Sequence, residues 1–375
     1  ILVKVNNGTT TNPTHIYGRD DLQSESPNAD IVFDIVSDDA YGDIVQGSGA
    51  HWFSNGSIVF EPGATAATSL VNSVLLQGDM TTNEAVTIIT RALGVAGGAI
   101  PAIPVGSPAD PAPAPVGSGQ IAMRGIGTLT IGGDYTLLAD VDNGGLITQT
   151  SGDVVTNVGN IDYRAAGIAL AGGTSEANSG YIFLQALGQG DGLGNVLANA
   201  LTADTNMPDA MSGSTNVAIK INAAGDAVLG GPVVTDSDAP ANLRGLYLDP
   251  VNAMIAMPVN VTGNIVAWAS ENIMVLAPLT TTGNGSGIWL RADDAGTNAG
   301  LLGAADGADG SGRLSMMPGA MLRAQNGDID LSGEDVLVQG ASTLGALNIE
   351  VDVVNDGIGV PGLSGSYGIL EGMNV

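Results

Sequence analysis

The chain has 375 residues, with 38 Asp and Glu against 10 Lys and Arg, for a formal net charge of −28. So few cations exclude a nucleic-acid binder, which must displace counterions from phosphate, and disfavour anionic membrane surfaces. Hydrophobic residues make up 44% but aromatics only 4%, with 56 glycines and no cysteine; this predicts a thin core of Val, Ile, Leu and Ala, and excludes thiol catalysis, thiolate metal sites and disulfide staples.

The N-terminus reads ILVKV, with Ile1, Val3 and Val5 alternating with Leu2 and Lys4, a strand pattern. A small unit, Gly-x-Φ-x-Φ with Φ apolar, then appears at Gly56–Phe60 (GSIVF). Asn83–Leu93 carries Val86, Ile89 and Leu93 at helical spacing but is rich in β-branched residues, so helix and strand both remain open there. Residues 99–119 hold six of the 17 prolines. Proline lacks the donor a sheet interior needs, so this stretch is expected to form a protruding loop.

The unit recurs at Gly119–Met123, Gly127–Ile131, Gly180–Leu184, Gly263–Ala267, Gly287–Arg291, Gly312–Met316 and Gly327–Leu331. Each is a strand signal introduced by a turn residue. Toward the C-terminus apolar starts fall at Ile265, Ile288, Leu314 and Val336, spaced by 23, 26 and 22 residues. Repeats of about 20–30 residues, each with two or three short strands, are what a solenoid requires. Alternation with short turns also fits an antiparallel sandwich or barrel. The strands are short, the outward residues small and polar, and the pattern persists along the whole chain. The reading is therefore an all-β, right-handed parallel β-helix (β-solenoid), one elongated domain over residues 1–375. About 15 coils at ~4.8 Å per coil would give a rod on the order of 70 Å long.

Chemistry-bearing residues are sparse. The histidines are His15 and His51. His51 with Ser54 offers a nucleophile and a base but no third group and no strained nucleophile turn. Calcium is the sharpest site hypothesis. Asp191 lies in GQGDGLGNVL, which resembles a single glycine- and aspartate-rich calcium repeat, and Asp293, Asp294, Asp306 and Asp309 lie on Asp/Gly-rich turns. Hard cations take several oxygen ligands, and such turns supply carboxylates and carbonyls together; the same residues also simply make turns. Trp268 and Trp289 fall on the outward phase of their strands, with Val266, Met274 and Leu276, so both faces are apolar around residues 264–277. Such a strand is covered by a loop of its own chain, by another subunit or by a ligand.

On GNIVAWASENIMVLAP, GIWLRADDAG and NGDIDLSGEDVLVQGA the sequence resembles the β-helical stalks of filamentous-haemagglutinin-like adhesins and autotransporter passengers. The resemblance implies bacterial export and a rod used for adhesion or surface structure. The expected function is a non-catalytic extracellular or cell-surface structural protein whose partner is itself, a filament subunit without membrane insertion. The self-association residues expected are Ile1, Leu2, Val3, Val5, Trp268, Met274, Leu276, Ile369 and Leu370, through strand addition at the ends and lateral apolar contacts. Two alternatives stand beside it: an adhesin stalk that binds glycans or host surfaces, and a polysaccharide-active β-helix enzyme with paired carboxylates.

Overall fold

The computed structural model describes residues 1–6, 16–18, 20–26, 28–36, 40–62, 69–90, 119–140, 144–188, 194–204, 217–235, 244–292, 312–325, 327–338, 343–346, 348–353 and 368–370. Among them every regular element is a strand, and every strand pair is parallel. The strands form three sheets of 13, 13 and 12 members, and each sheet takes every third strand in chain order. The described residues thus form a parallel β-solenoid of thirteen coils, laying strands in turn on a first, a second and a third face, with only the first two faces described in the last coil. Coils are numbered by their first-face strands, from Leu2–Asn6 in coil 1 to Asn348–Val353 in coil 13. Twelve steps at about 4.8 Å give a stack of about 58 Å.

The repeat length suggested about 15 coils; the described strands make thirteen, and several of the connections between them are long. The link from the first to the second face ranges from the single residue Ala166 to residues 90–120 in coil 4. The link from the second to the third face is always one to four residues. Glycine makes this tight corner possible. Gly152 and Gly173 stack there in adjacent coils with φ of 80° and 75°, and a Cβ on Gly173 would lie 1.7 Å from the Gly152 carbonyl oxygen. The corner needs both the left-handed backbone and the absence of a side chain.

The core is a set of side-chain rows running down the axis. On the first face Phe33, Phe60, Ile88, Leu137, Tyr163, Leu184, Ile221, Leu248, Ala267, Leu290 and Leu331 are in register, coil upon coil. Strict alternation explains it: an inward residue in each coil buries against its equivalents above and below, while its neighbours face out. Ile329, Leu331, Val336 and Val338 are fully buried, as the alternation predicted. Ile349 and Val351 continue the register of Ile329 and Leu331 by their backbone. Part of the small aromatic complement fills coils 2 and 3, where Phe33 stacks on Trp52 and on Phe60 with ring centroids 4.8 Å apart in both cases. Gly18 sits over this block, and a Cβ there would meet the Trp52 ring at 2.4 Å.

Buried polar side chains serve the corners. Gln46 Nε2 donates to the Asp79 carbonyl at 2.7 Å, and its Oε1 accepts from Gly78 N at 3.2 Å. Thr156 Oγ1 and Thr281 Oγ1 donate to Gly159 O and Ser286 O. Each satisfies main-chain groups that the turn withdraws from the ladder.

Two sequence readings need adjustment. The segment open between helix and strand is a strand, Val86–Ile89, with Val86 and Ile88 in the core; its β-branched residues pack into a pleated, half-buried surface. The series Ile265, Ile288, Leu314, Val336 mixes two faces. Ile265 pairs with Ile288 on the first, while Leu314 pairs with Ile273 and Val336 on the second. The proline-rich residues 99–118 lie outside the described residues.

Candidate functional site

Two outward strips, and a smaller cluster of Val45, Leu75 and Ala122 on the second face of coils 2 to 4, break the small-and-polar exterior. The first lies on the first face over coils 6 to 11. Register places Asp162, Phe183, Lys220, Tyr247, Val266 and Trp289 in one outward row. Tyr247 and Val266 pack with Val217, and Trp268 and Trp289 lie half-buried against them. Tyr247 meets Trp268 edge-on at 5.6 Å. Cations cap the rings: Arg164 lies 5.3 Å from the Phe183 centroid, Lys220 5.8 Å from Phe183 and 5.6 Å from Tyr247, and Arg291 6.0 Å from Trp268. Such contacts hold a cation over the ring's negative face. Arg164 is also gripped by Asp162 through Nε at 2.9 Å and Nη2 at 2.7 Å. That hydrogen bonding raises the guanidinium pKa still further.

The second strip is a groove of about 520 Å³ on the second face. Its floor is the outward row Val228, Met254, Met274, Ser315 and Leu337, in register across coils 8 to 12. Met254 is 37% exposed. A shallower hollow lined by Ala169 and Leu197 extends it toward coil 6. Along one side runs a polar ladder formed by the residue at or just before each second-face strand. Asp226 N donates to Asn195 Oδ1 at 2.8 Å, and Asn252 Nδ2 to Asp226 Oδ1 at 2.9 Å. Asn272 donates to Asn252 Oδ1 through N at 3.1 Å and Nδ2 at 2.9 Å. Arg313 N donates to Asn272 Oδ1 at 3.0 Å, and Arg313 Nη2 bonds Asp335 Oδ2 at 3.0 Å. Each rung binds its successor, so the row is fixed by the coils themselves.

The residues expected to matter distribute as follows. Trp268 joins the first strip, as its outward phase predicted, and Ile265 and Ala267 beside it are buried in the core. Met274 lies in the groove floor, while Leu276, 39% exposed, sits in the next corner. Both faces of the sheet are therefore apolar there, as predicted. Ile1 and Leu2 are exposed, and Val3 packs against the core. Val5 pairs with Ile35, and Ile369 and Leu370 with Leu337 and Val338, by their backbones. Asp191, Asp293, Asp294, Asp306, Asp309 and His15 lie outside the described residues. Among the described residues no group of three or more His, Asp or Glu could hold a metal ion.

His51 and Ser54 are not brought together. Ser54 points inward and donates to Ala29 O at 2.8 Å, whereas His51 is exposed, with Nε2 3.2 Å from Thr81 Oγ1. Residues three apart on a strand point to opposite sides.

Sequence reasoning missed the amide ladder. Its signal was the second position of the Gly-x-Φ-x-Φ unit, occupied by Arg313 in GRLSM, together with the Asn or Asp before AVL, AMI and IMV. Comparison with protein-family models, curated proteins and solved structures returns no match to this chain. The fold class stands on the geometry: a three-faced parallel β-solenoid.

Proposed function

We propose that this chain is a non-catalytic structural rod, a self-associating building block of an extracellular or cell-surface assembly. The observation that carries the reading is the groove on the second face. A soluble rod gains nothing from a straight apolar row repeated in coil after coil on its outer surface, and contiguous apolar exposure of this kind marks a contact surface. The composition supports export: the chain has no cysteine to be oxidised, and its high negative charge keeps separate rods soluble until they meet. The experiment is light scattering and negative-stain microscopy of the purified protein across a concentration series. Concentration-dependent assembly into dimers or longer objects is expected. A protein that stays monomeric at millimolar concentration overturns the reading.

A second reading, an adhesin stalk that binds glycans, is favoured by the first strip. Half-exposed indole rings offer flat apolar surface to the C–H face of a sugar, and Arg291 beside them offers donors to its hydroxyls. Binding of oligosaccharides that quenches indole fluorescence and is lost in Trp289→Ala would support it. Unchanged fluorescence across a broad glycan panel would remove it.

A further inference from the structure

We infer that two copies of this chain pack antiparallel through the second-face groove, in a register set by the polar ladder. The inference rests on the self-associating reading above and names the surface and the partner.

The ladder reads Asn195, Asp226, Asn252, Asn272, Arg313, Asp335 over six consecutive coils. Its chemistry is complementary to its own reversal. Consider a two-fold axis lying between two facing second faces, parallel to the strands, midway between coils 9 and 10. That operation keeps the ladder edge over the ladder edge and reverses the direction of the rod. It sets Asp226 opposite Arg313 of the other copy, Asn252 opposite Asn272, and Asn195 opposite Asp335. Every pair joins unlike charges or a donor to an acceptor, and each occurs twice, as an isologous contact requires. The floor of the groove obeys the same operation: Met254 meets Met274 at the centre, and Leu197 meets Leu337 near the ends. Methionine is the side chain best able to fit an irregular apolar surface.

The charged groups are available. Arg313 and Asp335 have side chains 56% and 40% exposed while paired with each other, so Arg313 can bridge Asp335 and the second copy's Asp226. Six coils span about 24 Å along the rod and strands of three or four residues about 10–13 Å across it, a patch of roughly 300 Å² per copy that is small beside the ~800 Å² per partner of a standard interface. The dimer is therefore weak, and the charge pairs select its register more than they set its strength. An unrelated linear ligand would not require an anion and a cation placed symmetrically about the midpoint, as Asp226 and Arg313 are; a second copy does.

Sedimentation velocity on the full chain tests the proposal, with circular dichroism melts to confirm that each variant folds. Wild type should dimerise with rising concentration, less so at high salt. Asp226→Arg and Arg313→Asp each place like charges opposite one another twice, and should weaken the dimer at least tenfold. An equimolar mixture of the two variants should regain it, because in the heterodimer positions 226 and 313 again meet opposite charges. Variants that dimerise like wild type, or folded variants whose mixture stays monomeric, overturn the proposal. If those variants still assemble by microscopy, the structural reading stands and this contact alone falls. Capture of an extended peptide or glycan in the groove by a monomeric wild type would assign the strip to another occupant and also overturn it.

Discussion

Alkali should loosen this rod through two phenols in its core. Tyr135 and Tyr163 lie in adjacent coils, fully buried, in edge-to-face contact with centroids 5.7 Å apart. Burial drives the pKa of both far above 10; for Tyr163 the neighbouring phenol adds to the rise, and the nearby Ser175 hydroxyl only partly offsets it. The folded protein thus holds both groups neutral, whereas the unfolded chain ionises them near 10. For an acid whose folded pKa is raised, the stabilisation is complete below the unfolded value and is lost as pH climbs above it. At pH 11 each tyrosine costs about 1.4 kcal/mol, so the pair removes about 2.8 kcal/mol relative to pH 8. Urea unfolding followed by circular dichroism at the two pH values measures this loss. Tyr135→Phe/Tyr163→Phe should abolish that share of it. Tyr163→Phe alone should cost little at pH 8, because the buried Tyr163 Oη has at most a weak contact with the Ser175 hydroxyl to lose. Two observations would refute the reasoning: tyrosinate absorbance from these residues in a folded rod at pH 11, or an alkaline loss unchanged in the double variant.

Other perturbations test the stack itself. Leu248→Ala in coil 9 removes three carbons at about 0.8 kcal/mol each, and the cavity brings the cost to about 3–4 kcal/mol. Because each coil touches only its neighbours, hydrogen exchange by mass spectrometry should speed up mainly in coils 8 to 10 and leave coils 1 to 5 protected. Gly173→Ala should cost more than about 2 kcal/mol in chemical denaturation, since the corner has neither the φ nor the space for a Cβ. Gln46→Leu keeps the volume but strands the Asp79 carbonyl and the Gly78 amide, for about 1–3 kcal/mol per orphaned group; a melting temperature equal to wild type would show that water replaces the side chain there.

The coil was legible in the sequence because a solenoid repeats one local instruction. Gly-x-Ile-x-Leu at Gly327–Leu331 specifies a turn and then a one-sided strand, and nothing distant is needed to read it. Which face a strand occupies was not legible. Ile288 and Leu314 carry the same pattern, and only the length of the intervening connection decides that one pairs with Ile265 and the other with Ile273. Parallel pairing across 20 to 50 residues leaves no mark on either partner. The groove was half legible. Met274 could be placed outward by alternation, but its row with Val228, Met254 and Leu337 exists only once the coils are stacked in register. The ladder was hidden for another reason: Asn and Asp before a strand are ordinary turn residues, and their second role, binding the next coil, depends on a residue 20 to 41 positions away.

The unequal corners have a consequence for how such a chain can change. The second-to-third corner sets the pitch, and its one to four residues leave no slack. The first-to-second corner tolerates a single residue in coil 6 and residues 90–120 in coil 4 while the three sheets stay in phase. Length is thus fixed along the second-to-third edge and free along the other two, since the third-to-first link also varies, from residues 262–263 to residues 204–216. New sequence can be spliced between Ile89 and Ile121, or between Arg291 and Arg313, without altering any core row. The rod is in effect a ruler with insertion points on two of its three margins, at intervals set in multiples of the coil height.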